Sequence, residues 1–252
     1  MWSATEVSEE VTADAFLGGA VTVYQPKAGF RAGTDSVLLA AALDAETKGK
    51  ALELGCGSGG ALFPAAHRLV EMHFTGFECD EAALHRAQKG RIANGFEQRI
   101  DLILGDVQQM PDAWENHFDL VFSNPPFFEA GTIQQPGNGK ESAYLESATL
   151  KDWIGAMLFA LRPKGTFVMI HRAADLARIL SLIERRTGEI SVLPVRSFPG
   201  ADAKRVIIRA RKGLRSGPMR LLHGLDLYEE KGGERTQAAK AITYEGQGID
   251  WT

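Results

Sequence analysis

Two short stretches of this chain hold residue types that could do chemistry. One is Asn124-Pro125-Pro126-Phe127, which follows the apolar run Phe118-Asp119-Leu120-Val121-Phe122-Ser123. That run predicts a buried strand. Two consecutive prolines lack N–H donors and fix φ, so the chain must leave a central sheet there as a stiff turn. The turn offers one amide side chain and one aromatic face, and Phe128 adds a second ring. Such a turn can hold a flat group and hydrogen-bond its edge. The same four residues also read as an ordinary loop with a buried Phe. The other stretch is Glu53-Leu54-Gly55-Cys56-Gly57-Ser58-Gly59-Gly60. Glycines let backbone approach a ligand without Cβ clashes.

In an open α/β sheet, ligands bind beyond the carboxyl ends of the strands, and the glycine loop lies at such an end. Gly55-x-Gly57-x-x-Gly60, with Glu78 about 20 residues on, also satisfies the dinucleotide fingerprint. Both NAD and S-adenosylmethionine present ribose hydroxyls that a carboxylate such as Glu78 can accept. The loop alone therefore fits either nucleoside. Asp106 could take the amino group of an adenine ring, or serve as a helix N-cap before Val107.

The elements that would position these residues alternate. Strands are expected at 50–54, 73–77, 100–104, 119–123 and 166–170, with helices at 61–70, 81–93, 151–161 and 173–186. Asp80 and Thr149 are the expected N-caps. A last strand pair, 190–195 and 205–210, suggests an antiparallel edge. The fold expected is α/β and Rossmann-like: a seven-stranded, mostly parallel sheet with helices on both faces. A domain at 49–252 would follow an N-terminal extension at 1–48, comprising a disordered lead, a strand at 21–24 and a helix at 36–43 capped by Thr34 or Asp35. Residues 131–139, rich in Gly and Gln, read as a mobile active-site loop.

Hydrophobic content of 44% and charged content of 24% are ordinary for a globular protein. No apolar run reaches the roughly 18 residues of a membrane span, and the acidic N-terminus is unlike a secretory signal. The two cysteines, Cys56 and Cys79, lack metal-ligand spacing, so no metal site is expected, and reduced thiols imply a cytoplasmic protein. The net charge of −4 argues weakly against a nucleic-acid partner. Against that, Arg196, Lys204, Arg205, Arg209, Arg211, Lys212, Arg215 and Arg220 crowd one C-terminal stretch. It reads either as a charged edge strand or as a phosphate-contacting surface.

Glu53-x-Gly55-x-Gly57-x-Gly59, Glu78, Asp106 and Asn124-Pro125-Pro126-Phe127, in this order, resemble the amino-methylating S-adenosylmethionine-dependent methyltransferases. The run Lys27-Ala28-Gly29-Phe30-Arg31-Ala32-Gly33-Thr34-Asp35 looks like the signature of the tRNA (valine) adenine-N6 methyltransferase family. The resemblance implies S-adenosylmethionine held by Glu53, Gly55, Gly57, Gly59 and Glu78, with Asp106 at its adenine. Thr34 and Asp35 would border its methionine end, and Lys27 would help close the site. It also implies that the Asn124 side-chain oxygen and the Pro125 carbonyl accept hydrogen bonds from the target amino group, while Phe127 stacks on a flipped-out base. His171, just past the fifth strand, reads as a loop residue.

The implied substrate is RNA, most closely adenine N6 in tRNA, gripped through the basic C-terminal stretch. Better-known members of the family carry Tyr after the two prolines. Phe at that place is frequent in rRNA guanine-N2 methyltransferases, which keeps guanine as an alternative. Methylation of a protein glutamine amide and a non-catalytic nucleoside-binding module are the other readings.

Overall fold

Successive strand residues feed two separate cores. Leu120, Phe122, Val168, Ile170 and Ile207 cluster on one face of the sheet. Val121, Phe167, Met169, Val206 and Ile208 cluster on the other. This period of two is what pleated strands buried on both faces require. The computed structural model describes residues 10–29, 31–127, 148–215 and 217–251. The expected loop at 131–139, Phe128 and Phe30 lie outside these described residues.

The parallel part of the sheet comprises β3 (Gly49–Leu54), β4 (Met72–Glu78), β5 (Ile100–Leu104), β6 (Phe118–Ser123) and β7 (Leu161–Arg172). β8 (Thr187–Arg196) and β9 (Ala203–Lys212) complete the seven expected strands. β9 inserts antiparallel between β7 and β8. The expected edge pair is not at the edge, however. Two short strands, β10 (Arg220–Leu221) and β11 (Leu225–Asp226), add parallel to β8 and give a nine-stranded sheet among the described residues.

α1 (Thr34–Ala41) and α2 (Leu62–Arg68) feed the first core, which α3 (Glu81–Ala93) also joins through Ala87. α4 (Leu150–Ala160) and α5 (Leu176–Ile183) feed the second. The expected caps at Asp80 and Thr149 both form, the latter as a reciprocal box with Asp152. α4 stops at Ala160 because Leu161 is already extended. Lys212 Nζ donates to the carbonyls of Leu158 and Leu161 at the helix end, where a cation also suits the helix dipole. The helix expected at 173–186 is instead a single 3-10 turn, Ala173–Asp175, followed by α5.

The N-terminal extension is more ordered than expected. β1 (Val11–Phe16) pairs antiparallel with β2 (Val21–Pro26), so residues 11–14, expected within a disordered lead, are strand. Gly33, with no side-chain cap bond, sits at the N-cap of α1, and Thr34 and Asp35 are its first two residues rather than its caps. The C-terminal end returns to this region. α6 (Gln237–Thr243) packs against α1, Ile249 N donates to the Ala41 carbonyl at 2.7 Å, and Trp251 Nε1 to that of Ala42 at 3.0 Å.

Candidate active site

Three strand ends lie side by side, because Leu54 pairs with Phe77 on β4 and with Ser123 on β6. The glycine loop leaves from the first and the Asn-Pro-Pro turn from the last. Ser123, fully buried, ties the two exits together: its Oγ donates to the Leu54 carbonyl at 2.7 Å. Gly55 N and Cys56 N donate in turn to the Phe77 carbonyl, at 2.8 and 3.2 Å.

Gly55, Gly57 and Gly59 all have positive φ. Two of them do different jobs. A Cβ on Gly55 would sit 2.5 Å from Trp153 Cη2, so Gly55 is needed for packing from beneath. Among the described residues a Cβ on Gly57 would meet nothing within 4 Å, so this backbone faces open space that a ligand can approach. Gly60 admits the N-terminal extension: a Cβ there would collide with the Ala32 methyl. That contact brings Thr34 and Asp35 near the loop.

The floor of the loop is acidic. Glu78 Oε2 accepts from Gly57 N at 2.7 Å, and its Oε1 accepts from Cys79 N at 2.8 Å and Asp80 N at 2.9 Å. Glu53 is buried beside it, and its Oε2 has no hydrogen-bond partner among the described residues. Burial first, then the Glu78 charge, holds the Glu53 carboxyl well above the usual carboxylate range. The same two causes push the Cys56 thiol well up and the Cys79 thiol up to about 12. An orphaned buried carboxyl oxygen below an open backbone suits a cationic ligand. S-adenosylmethionine carries a sulfonium and an ammonium that this acidic floor attracts, whereas the pyrophosphate of NAD would meet the Glu78 carboxylate with like charge. The residues present fit S-adenosylmethionine.

Asp106 reaches the same edge, since the neighbouring Gly105 N donates to the Glu78 carbonyl at 2.9 Å. It caps no helix; its Oδ1 accepts from Gln108 N at 2.8 Å in a turn. Lys27 is not gathered in. It stays on the hairpin, ion-paired with Glu10 at 3.0 Å.

Pro125 is buried and Asn124 half-buried where the turn begins. Phe127 is not a buried loop residue, being 41% exposed. Its ring meets His171 edge-on, with centroids 5.5 Å apart and planes at 86°. Arg205 Cζ lies over the ring at 4.5 Å from the centroid and Arg172 Cζ at 5.5 Å. His171 is a strand residue of β7, 1% exposed, rather than a loop residue. Burial holds its imidazole below the ordinary value, against the pull of Asp175.

Sequence reasoning missed Ser123, Arg172 and Arg205 as parts of this site. Ser123 had a signal, as a polar residue closing an apolar run. Arg205 had none, because its partner Asp35 lies 170 residues away.

The basic C-terminal stretch does not form one patch. β9 carries Arg205 to the site, beside Arg172, while Arg211 pairs with Thr166 at the other end. Arg205 and Lys212 are seven residue steps apart along the strand, about 23 Å. Several of the cations also have internal partners: Arg196 pairs with Asp226, Arg211 Nε donates to the Lys164 carbonyl, and Arg209 stacks on Trp251.

A methyltransferase domain family model matches residues 45–189, more than half of the chain. The tRNA1(Val) (adenine(37)-N6)-methyltransferase of Bacteroides thetaiotaomicron is 28% identical over 195 residues, covering 74% of this chain and 79% of that protein. The protein of the same name from Shewanella baltica is 29% identical over 189 residues, covering 71% and 76%. Among solved structures, a predicted O-methyltransferase from Agrobacterium tumefaciens has a TM-score of 0.69 at 22% identity, covering 85% of this chain and 98% of that one. A T. thermophilus 16S rRNA N2 methyltransferase, solved with AdoMet and guanosine, has a TM-score of 0.57 at 23% identity, covering 81% and 50%. The solved structures agree with the Rossmann-like sheet described above, and the family match replaces the reading of a non-catalytic binding module with that of an enzyme. The chain belongs to the methyltransferase domain family and is an S-adenosylmethionine-dependent methyltransferase.

Proposed function

We propose that this enzyme methylates the exocyclic amino group of a base in RNA, with adenine N6 of a tRNA as the leading substrate. The observation that carries the reading is the Asn124-Pro125-Pro126-Phe127 turn beside the glycine loop, held there by the Ser123–Leu54 hydrogen bond. The adenine-N6 tRNA methyltransferases, similar along most of the chain, favour that choice.

Gly55, Gly57 and Gly59 would hold the cofactor through their backbone, with Glu78 on its ribose and Asp106 at its adenine. Glu53 would lie below its positive charge. When bound, S-adenosylmethionine supplies an electrophilic methyl group. The residues of this chain supply the alignment. An exocyclic amine on a heteroaromatic ring is a poor nucleophile because its lone pair is delocalised. The Asn124 side-chain oxygen and the Pro125 carbonyl would accept its two N–H bonds, turning the lone pair toward the methyl group. Phe127, with its exposed ring, would stack on the base. The methylated amine can then release its proton to water, so no strong general base is needed.

Incubation of the enzyme with methyl-labelled cofactor, total RNA and total protein tests the reading, with ribonuclease or protease digestion and nucleoside mass spectrometry. Label in N6-methyladenosine is the expected result. Label in N2-methylguanosine would keep the RNA substrate and change the base. Label that survives ribonuclease and is lost with protease would sink the RNA reading in favour of a protein amide.

A further inference from the structure

We infer that Arg205 is a positioning residue for the acceptor ring and that Asp35 aims it, so that Asp35 serves the acceptor side of the site rather than the cofactor. The inference rests on the reading of Phe127 as the acceptor platform and extends it to two residues from distant parts of the chain.

Phe127 follows two prolines whose φ is fixed, but its own ring is 41% exposed and needs a fixed orientation to serve as a platform. Arg205 Cζ stands 4.5 Å from the ring centroid, within the range of a cation–π contact. A guanidinium on a flexible stem holds a ring only if it is itself held. Arg205 Nε donates to Asp35 Oδ2 at 2.7 Å, and Nη1 to the Lys204 carbonyl at 3.2 Å. Both side chains of the pair are partly covered, at 28% and 30% exposure, so solvent screens it less than a surface pair. Asp35 is in turn fixed in the first turn of α1, whose approach follows Ala32 against Gly60. The buried His171 closes the edge of the ring.

The path from Asp35 through Arg205 to Phe127 is continuous, and it leads from the N-terminal extension to the acceptor turn. One carboxylate oxygen of Asp35 is committed to Arg205. A role at the methionine end, as the family resemblance implies, would place its charge on the cofactor instead.

A double-mutant cycle tests the inference, run on whichever fraction, RNA or protein, the wild-type enzyme labels. Arg205→Ala is expected to lower kcat/KM about tenfold, within the range of a partly desolvated cation–π contact. Asp35→Asn should lose a similar factor. Both should bind S-adenosylmethionine as wild type does by calorimetry. Arg205→Ala combined with Phe127→Leu should be no worse than Phe127→Leu alone, whereas a purely structural role would add its own loss. Arg205→Lys, which keeps the charge but not the Nε contact, should recover only part of the activity.

Full activity of Arg205→Ala, multiplying losses in the cycle, or loss of cofactor affinity in Asp35→Asn would each overturn the inference. Full activity of Phe127→Leu would overturn both the inference and the acceptor reading beneath it. Thermal melts separate these outcomes from unfolding: Asp35→Asn, with its small change at a helix start, decides if Arg205→Ala does not fold.

Discussion

Ser123 Oγ donates to the Leu54 carbonyl across 2.7 Å, joining the last residue before the Asn-Pro-Pro turn to the last residue before the glycine loop. Two loops that leave a sheet from adjacent strands could otherwise splay apart. Ser123→Ala is expected to cost about 1 kcal/mol, the net worth of a buried hydrogen bond. In a chain of this size that lowers Tm by about 2–4 °C. Turnover should fall further than stability, because the two loops lose their common anchor. A melt and a rate measured on the same preparation would show whether activity drops while folding is largely retained.

The two glycines of the loop separate packing from binding. Gly57→Ala places a methyl group in the open space beside the loop, at φ +53°. The left-handed conformation costs about 1–2 kcal/mol of stability. The larger effect should be on cofactor affinity, read by calorimetry as a loss of about tenfold or more, equivalent to about 1.4 kcal/mol. Gly55→Ala, at φ +68° and against Trp153, should act the other way and destabilise the fold first. Similar effects of both changes on affinity and stability would contradict the division.

Glu53 sets a pH dependence. Its carboxyl is raised well above 4.5 in the folded protein, so the folded chain keeps a proton that the unfolded chain releases. The associated stability is complete below 4.5 and is lost as pH rises from there toward the raised value. Glu53→Gln removes this loss. Without cofactor, the variant should melt above wild type at neutral pH, with the gap closing as pH falls toward 4.5. With S-adenosylmethionine the order should reverse, because only the wild type offers a buried carboxylate to the positive ligand. Melts with and without cofactor at several pH values would reveal the crossing.

His171 has the opposite sign. Burial is the largest cause that lowers its pKa from 6.5; Arg172 and Arg205 push the same way, and Asp175 opposes them. The unfolded chain binds a proton below 6.5 that the folded chain refuses, so stability is complete above that value and is lost as pH falls below it. His171→Gln should flatten this part of the stability curve below 6.5, at the cost of the imidazole's edge contact with the Phe127 ring. An unchanged slope would show that the imidazole takes up its proton normally.

The strand–helix alternation and the caps at Asp80 and Thr149 were legible because hydrophobic period and local hydrogen bonding are written in neighbouring residues. Glu53, Gly55, Gly57, Glu78 and Asn124 were legible as candidates for the same reason, each lying at the end of a readable strand. Interactions between distant residues were not. Nothing near Arg205 announces Asp35, and nothing near Gly60 announces Ala32. β1 was hidden within an acidic lead, because two-residue alternation in Val11–Phe16 is diluted by Ala and Asp. β10 and β11, two residues each, are too short to carry a pattern. The basic C-terminal stretch looked continuous in sequence, but β9 carries Arg205 and Arg211 to opposite ends of its ladder with β7.

Asn124 offers the most direct measurement. The single-turnover methylation rate of Asn124→Ala on the labelled substrate should fall by roughly 100-fold, the scale for removing one preorganised polar contact to a reacting group. Its affinity for S-adenosylmethionine, measured by calorimetry on the same protein, should match that of the wild type. A rate near wild type, or an equal loss of rate and cofactor affinity, would contradict the assignment of this turn to the acceptor amine.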